Sequence, residues 1–315
     1  MVNAVGLLGL KRSSSRHPDS VSMSLRPDWL TFRRYAGLTT GMTLALFTIG
    51  VYTAATGSGL ACQAQWPLCS DQLVPALTFN PDFVEWFHRV WAMVTGFFII
   101  GMAGWAWRLE DRRIRLAATF AVAVLPLQIA VGAVTVTVGG LVPGGYTMST
   151  HALHLVVALL IFTFLGLATF WAGSGGGGPS IRRVRLTLFA ALGLLLAGAV
   201  FSRAVPLLTY SPGAQAWFYG LSLSGYLALL SVVVDTFEAD GFPGSDRVRA
   251  LAFAAIVLLV GTLLLGRDLV LYDATWQLVN LLALAGGLVG VAAAAWLLGR
   301  ESSSTDARSG VTEAD

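Results

Sequence analysis

Charge is scarce in this chain. Of its 315 residues, 12% are charged and 56% are hydrophobic, with a mean hydropathy of +0.72, where soluble domains carry roughly 25% charge. That shortage excludes an ordinary soluble globule and predicts an integral membrane protein. Histidine is rarer still: four residues, with His17 in the N-terminal tail and none after His154. Cysteine occurs twice, as Cys62 and Cys69. The stretch 56–84 that holds both cysteines has no basic residue. The first 34 residues lack the continuous apolar stretch and small-residue cleavage signal of a secretory leader, because Lys11-Arg12-Ser13 follows Met1–Leu10 at once.

The long apolar runs that are present number eight, near 35–55, 85–107, 116–138, 148–172, 186–207, 216–235, 250–266 and 276–298. Each is about the length that a helix needs to cross a hydrocarbon core of about 30 Å. Their Val, Ile and Leu are mixed with many Gly and Ala, which suits close helix packing in lipid better than a barrel. The expected fold is therefore all-α, a polytopic membrane protein of eight transmembrane helices. Seventeen of the 20 basic residues lie in the first tail, the even-numbered connections and the last tail. The positive-inside rule then places both termini in the cytoplasm. The net charge of +3 carries no indication of nucleic acid. The three remaining cations, Arg89, Arg203 and Arg267, stand at the outer ends of helices, where they either snorkel to the interface or meet an incoming anion.

Ser174-Gly175-Gly176-Gly177-Gly178-Pro179-Ser180 has a flexible linker composition and divides four spans from four. An even number of spans per half predicts two parallel four-helix repeats. The expected layout is a cytoplasmic tail at 1–34, an N-terminal half at 35–172, a linker at 173–185, a C-terminal half at 186–299 and a cytoplasmic tail at 300–315. Met23 is as sensible a start as Met1, since Arg26, Arg33 and Arg34 remain after it. The Ser-, Asp- and Glu-rich last residues read as disordered. Between the halves, Trp86-Phe87-His88 aligns with Trp217-Phe218-Tyr219, and His151/His154 with Gln277/Asn280.

Histidine at membrane depth has no water to borrow, so it marks a functional site unless packed against a partner. His88 falls about one turn inside the second span, and His151 and His154 one to two turns inside the fourth. One imidazole from each helix suits the two faces of a haem, and suits zinc less, which needs three or four ligands. Glu85 shares a helix face with His88. It orients that ring, handles protons beside it, or simply marks the helix start. Cys62 and Cys69, on the oxidising side, predict a disulfide that staples the loop into a lid, with a redox-active pair as the other reading.

At these residues the sequence resembles the heme A synthases. The resemblance is carried by Thr56-Gly57-Ser58-Gly59-Leu60-Ala61-Cys62 with Trp66-Pro67-Leu68-Cys69, by Glu85-x-x-His88-Arg89, by Leu127-Gln128 through Gly132-Ala133-Val134-Thr135-Val136, and by His154-Leu155-x-x-Ala158. It covers roughly residues 40 to 165. It implies an enzyme that oxidises the C8 methyl of heme O to a formyl group, giving heme A for terminal oxidases. It further implies His88 and His154 as haem ligands, with His151 the alternative on the fourth span. Glu85 is implied as the residue needed for activity, and Cys62 and Cys69 as linked to haem handling. Arg89, with Arg203 or Arg267, would meet the haem propionates. Small residues such as Gly96, Gly101, Gly132 and Ala133 would let the flat ring approach the helices, or serve ordinary packing.

The implied partners are heme O, heme O synthase, an electron donor of unspecified identity and the lipid bilayer. The second half departs from the family's pattern: Tyr219, Gln277 and Asn280 are poor haem ligands, so a haem b there is expected to be absent. Two other readings remain open, a membrane haem protein of electron transfer and a parallel-repeat transporter. A thiol oxidoreductase is the third, and it would need a reactive Cys62/Cys69 pair.

Overall fold

A computed structural model describes residues 29–63, 65–139, 148–173, 179–238, 244–265 and 272–312. Arg267, most of the Gly-rich linker and the first 28 residues lie outside the described residues. The helices are α1 (Phe32–Ala55), α2 (Pro81–Ala106), α3 (Arg112–Gly139), α4 (Met148–Trp171), α5 (Ile181–Val200), α6 (Pro212–Glu238), α7 (Ser245–Leu265) and α8 (Ala274–Thr312). All eight contain a stretch long and apolar enough to cross a membrane. This is an all-helical, multi-pass membrane protein.

Polar caps, which the apolar runs do not reveal, set several boundaries. Asn80 accepts a hydrogen bond from the Phe83 N–H (2.9 Å) with Pro81 at the first helical position, so α2 begins four residues before the hydrophobic run. Ser180 does the same for α5 through the Arg183 N–H (3.2 Å), and Asp273 for α8 through the Trp276 N–H (2.9 Å). At its other end α5 stops at Val200 rather than 207, because Pro206 cannot continue a helix and Ser202 Oγ accepts the Val205 N–H (3.1 Å) in a turn. Helix α8 runs on to Thr312, through the stretch expected to be a disordered tail. No proline interrupts it after Ala274.

Helices α1 to α4 form a ring in which α1 and α3 each touch both α2 and α4, so α2 and α4 stand on the diagonal. Helices α5 to α8 repeat that ring, and the two rings join through α6, which packs on α1 and α4. Consequently α6 is the most extensively buried of the eight helices, although Trp217 and Phe237 on it stay exposed. Its small residues permit this: a Cβ added at Gly225 would sit 2.9 Å from Leu195 Cδ2 of α5, and one at Gly220 only 3.1 Å from Thr48 Oγ1 of α1. Where the rings meet, Phe162 of α4 is fully buried, with its ring 5.5 Å from Phe47 of α1 and 6.2 Å from Tyr226 of α6. Thr163 and Tyr226 hydroxyls share a hydrogen bond of 2.7 Å across the same seam.

Inside lipid every polar group must find a protein partner. The hydroxyls of Thr39, Thr40 and Thr43 donate to carbonyls one turn back at 2.9 Å. Charges gather at the end of the bundle where α1 begins. There Arg183 pairs with the buried Asp235 (3.3 Å) and Arg113 with Glu238 (3.0 Å), which ties α5 and α3 to the end of α6.

Phe162→Ala removes the ring at the seam and should cost about 3–5 kcal/mol, read as a large fall in melting temperature in detergent. Leu160→Ala, at a 46% exposed position on the same helix, should leave the melting temperature nearly unchanged. Equal shifts would contradict this placement of the core.

Candidate functional site

Helix α1 ends at Ala55, and two residues on Gly57 takes a φ of 71° that only glycine adopts freely. After a single 3₁₀ turn at Ser58–Leu60 the chain enters the cysteine loop. Cys62 and Cys69 form a disulfide with their Cα atoms 4.2 Å apart. Beyond it, Cys69 and Gln72 exchange backbone hydrogen bonds of 2.7 and 3.0 Å. The staple expected from spacing is therefore present.

The loop is then fastened to one face of α2. The Cys62 N–H donates to Glu85 Oε2 (2.6 Å), and Trp86 Nε1 donates to the Leu73 carbonyl (3.0 Å). Arg89 donates through one nitrogen to Glu85 Oε1 and through the other to the Gln65 carbonyl. Glu85 is only 3% exposed, and a buried carboxylate of this kind is tolerable because it is paired and hydrogen-bonded. Glu85 accordingly does not orient His88, as its position one turn before the histidine had suggested. Its two oxygens belong to the loop and to Arg89. Arg89 in turn spends two of its five N–H donors on the clamp.

His88 lies on the neighbouring stripe of α2 and turns toward α1. A Cβ at Gly50 would be 3.2 Å from its Cε1, so this glycine makes room for the ring. His154 of α4 turns toward α3, where a Cβ at Gly132 would be 3.0 Å from its Cε1. Gln128, one turn before Gly132, holds His154 through a contact of 3.2 Å between its Nε2 and the ring Nε2. The space at Gly132 is thus taken by the histidine itself. Gly50 and Gln128 were not among the expected site residues; Gln128 stood in the segment that carries the family resemblance, whereas nothing in the sequence singles out Gly50.

Neither His88 Nδ1 nor His154 Nδ1 has a hydrogen-bond partner, although both atoms are buried. Gln128 Oε1 and Thr95 Oγ1, the latter two turns deeper than His88 on the same helix, are also buried and unpaired. Four of the seven such atoms among the described residues therefore belong to this one half. Buried polar atoms are rarely left so. Among the described residues no group of three or more His, Cys, Asp or Glu is gathered as a lone metal ion would need. One imidazole on each of two diagonal helices, each with an unpaired Nδ1, is a pair of residues that could hold a haem.

In the second half the positions corresponding to the histidines are engaged otherwise. Tyr219, fully buried on α6, donates its hydroxyl to the Leu263 carbonyl at the end of α7 (2.5 Å). Asn280 donates to the Tyr272 hydroxyl (3.2 Å). Arg203 stacks 4.0 Å from the centre of the Tyr272 ring, on the second half rather than beside His88. Gln277 lies in the first turn of α8, its N–H bonded to the Asp273 carbonyl (2.9 Å).

A membrane four-helix half with paired histidines beneath a disulfide-closed loop defines a class of haem-handling proteins. Residues 33–215 match the family described as cytochrome oxidase assembly protein, and this chain belongs to that family. Heme A synthase of Bacillus licheniformis is 29% identical over 164 residues, 50% of this chain and 52% of that protein. Heme A synthase of Alkalihalophilus pseudofirmus is 32% identical over 144 residues, 45% of this chain and 46% of the relative. A protein named protoheme IX farnesyltransferase, from Halobacterium salinarum, is 38% identical over 128 residues, 40% of this chain and 27% of its own length. The chain thus spans about half or less of the length of the curated relatives it matches.

Arg89→Ala leaves the Glu85 carboxylate buried without its cation and should cost about 3–5 kcal/mol. Glu85→Gln keeps an acceptor for the Cys62 N–H and should cost less. Thermal melting and proteolysis of the 61–80 loop give the order; greater damage from Glu85→Gln would contradict the clamp.

Proposed function

We propose that this protein makes heme A, oxidising the C8 methyl of heme O to a formyl group, with the haem held between His88 and His154. The observation that carries the proposal is the pair of buried imidazoles on diagonal helices, each with an Nδ1 that nothing in the protein claims. The family membership and the two heme A synthases among the relatives support the same reading. His151, one turn from His154, is the alternative ligand on α4.

The bound haem iron with oxygen would supply the oxidation of an unactivated methyl, which side chains cannot perform. The protein's own residues do the rest. Gly50 and Gly132 admit the two rings, and Gln128 fixes the orientation of His154. Glu85 holds the Cys62 end of the loop over the site and is the carboxylate nearest along α2 for moving a proton. Arg89 has donors left to meet a haem propionate. Arg203 and Arg267 were candidates for the same task; Arg203 is stacked on Tyr272 and Arg267 lies outside the described residues, so Arg89 is the proposed partner. The disulfide keeps the loop closed and water out. On the positive-inside reading the termini are cytoplasmic and this site faces the exterior. The second half, with Tyr219 bonded to Leu263, is proposed to carry no haem b and to serve as the wall against which α1 and α4 pack. Heme O synthase is the proposed source of substrate, with a separate electron donor.

A haem-binding electron carrier would use the same two histidines without altering the haem. A parallel-repeat transporter is less favoured, since α3 has an internal Pro126 and α7, its counterpart, has no proline, whereas transporters interrupt both halves alike.

Expressed in a host that makes heme O but not heme A, the wild-type chain should yield formyl haem on extraction. Glu85→Gln should abolish that product while haem stays bound; unmodified haem from the wild type would indicate a carrier. Gly132→Val pushes on the His154 ring and should lower retained haem about tenfold or more, read from Soret absorbance. An undiminished Soret band would contradict the assigned role of Gly132.

A further inference from the structure

Between α5 and α8, at the end where α1 begins, lies a groove with a volume of about 760 Å³. Arg185, Phe189 and Leu192 line it from α5, and Ala292, Trp296 and Arg300 from α8. The spacing of these residues keeps each trio on one face of its helix. Because the helices run antiparallel, both arginines come to the same mouth. Arg185 reaches across to α8, its guanidinium carbon 3.5 Å from where a Cβ on Gly299 would stand. It also stacks 5.5 Å from the centre of the Phe189 ring, and Arg300 stacks 4.7 Å from that of Trp296.

Three other arginines at this end are paired with acids: Arg113 with Glu238, Arg183 with Asp235, Arg249 with Asp246. Arg185 and Arg300 have no carboxylate partner among the described residues, and Arg185 Nε is buried without any hydrogen bond. Two cations, one with a donor facing nothing, close the polar end of a slot whose body is apolar. Trp296, 58% exposed, and Phe189, 48% exposed, stand open along that body.

We propose that this groove binds one anionic phospholipid of the cytoplasmic leaflet, its phosphate between Arg185 and Arg300 and its acyl chains along Phe189, Leu192 and Trp296. Charge complementarity selects the headgroup: among the described residues, the mouth has two positive charges without a carboxylate partner. Basic pockets between membrane helices on the cytoplasmic side bind such headgroups. The assignment to that leaflet follows the positive-inside orientation and does not depend on the haem chemistry in the other half.

The full chain in detergent is exchanged into mixed phosphatidylglycerol and phosphatidylcholine micelles, and retained lipid is counted by native mass spectrometry. The wild type should retain one phosphatidylglycerol with about tenfold preference over phosphatidylcholine. The pair Arg185→Gln with Arg300→Gln should lose the preference, while Arg108→Gln, at the same end outside the groove, should keep it. Ala292→Trp fills the slot with both charges intact and should also displace the lipid, which separates lost binding from a folding defect of the arginine variants. Soluble glycerophosphoglycerol should not compete, since the apolar body contributes to binding. Preference unchanged in both the arginine and the tryptophan variants would overturn the proposal and assign the groove to a protein segment instead.

Discussion

The absence of water at membrane depth is the constraint on which this structure turns. A buried threonine hydroxyl in α1 meets it by donating to its own helix, and Tyr219 meets it by donating to Leu263. The Nδ1 atoms of His88 and His154 do not meet it from within the protein. These unclaimed nitrogens, on helices that face each other diagonally, give the first half a different character from the second. The same ring of four helices thus differs between the halves: Tyr219 is hydrogen-bonded within the second, while two imidazole Nδ1 atoms are unpaired in the first.

Around the histidines the structure separates two tasks that adjacent residues in the sequence seemed to share. Glu85 and Arg89 fasten the disulfide loop, while His88, between them in sequence, points to α1 and Gly50. On a helix, residues three and four apart adjoin but need not face the same space. The clamp therefore brings the carboxylate close to the proposed haem pocket through the loop it anchors. This joins the loop's closure to the chemistry: whatever protonates Glu85 also loosens its hold on the Cys62 N–H.

Much of this was legible in the residues. Eight apolar runs sufficed for eight helices, because a hydrocarbon core sets their length. Cys62 and Cys69 were close enough in sequence to foretell their bond. The helix ends were less legible, since Asn80, Ser180 and Asp273 act as caps through single side chains outside the apolar windows. The continuation of α8 through Ser302-Ser303-Ser304 ran against composition. Most hidden were the partners of the histidines. Gly50 is one glycine among 35, and only its distance to the His88 ring distinguishes it. Arg203 read as an anion-binding cation because its neighbour in space, Tyr272, is 69 residues away in the chain.

The account stands on two imidazoles sharing one haem in the first half. Its most direct test is the haem-to-protein ratio of the purified chain, measured as the pyridine haemochrome against protein from amino-acid analysis, for the wild type, His88→Gly and His154→Gly, with and without free imidazole. The account predicts one haem per chain, lost in either variant and restored when imidazole fills the vacated position. A ratio that stays at one in both variants without imidazole would contradict it.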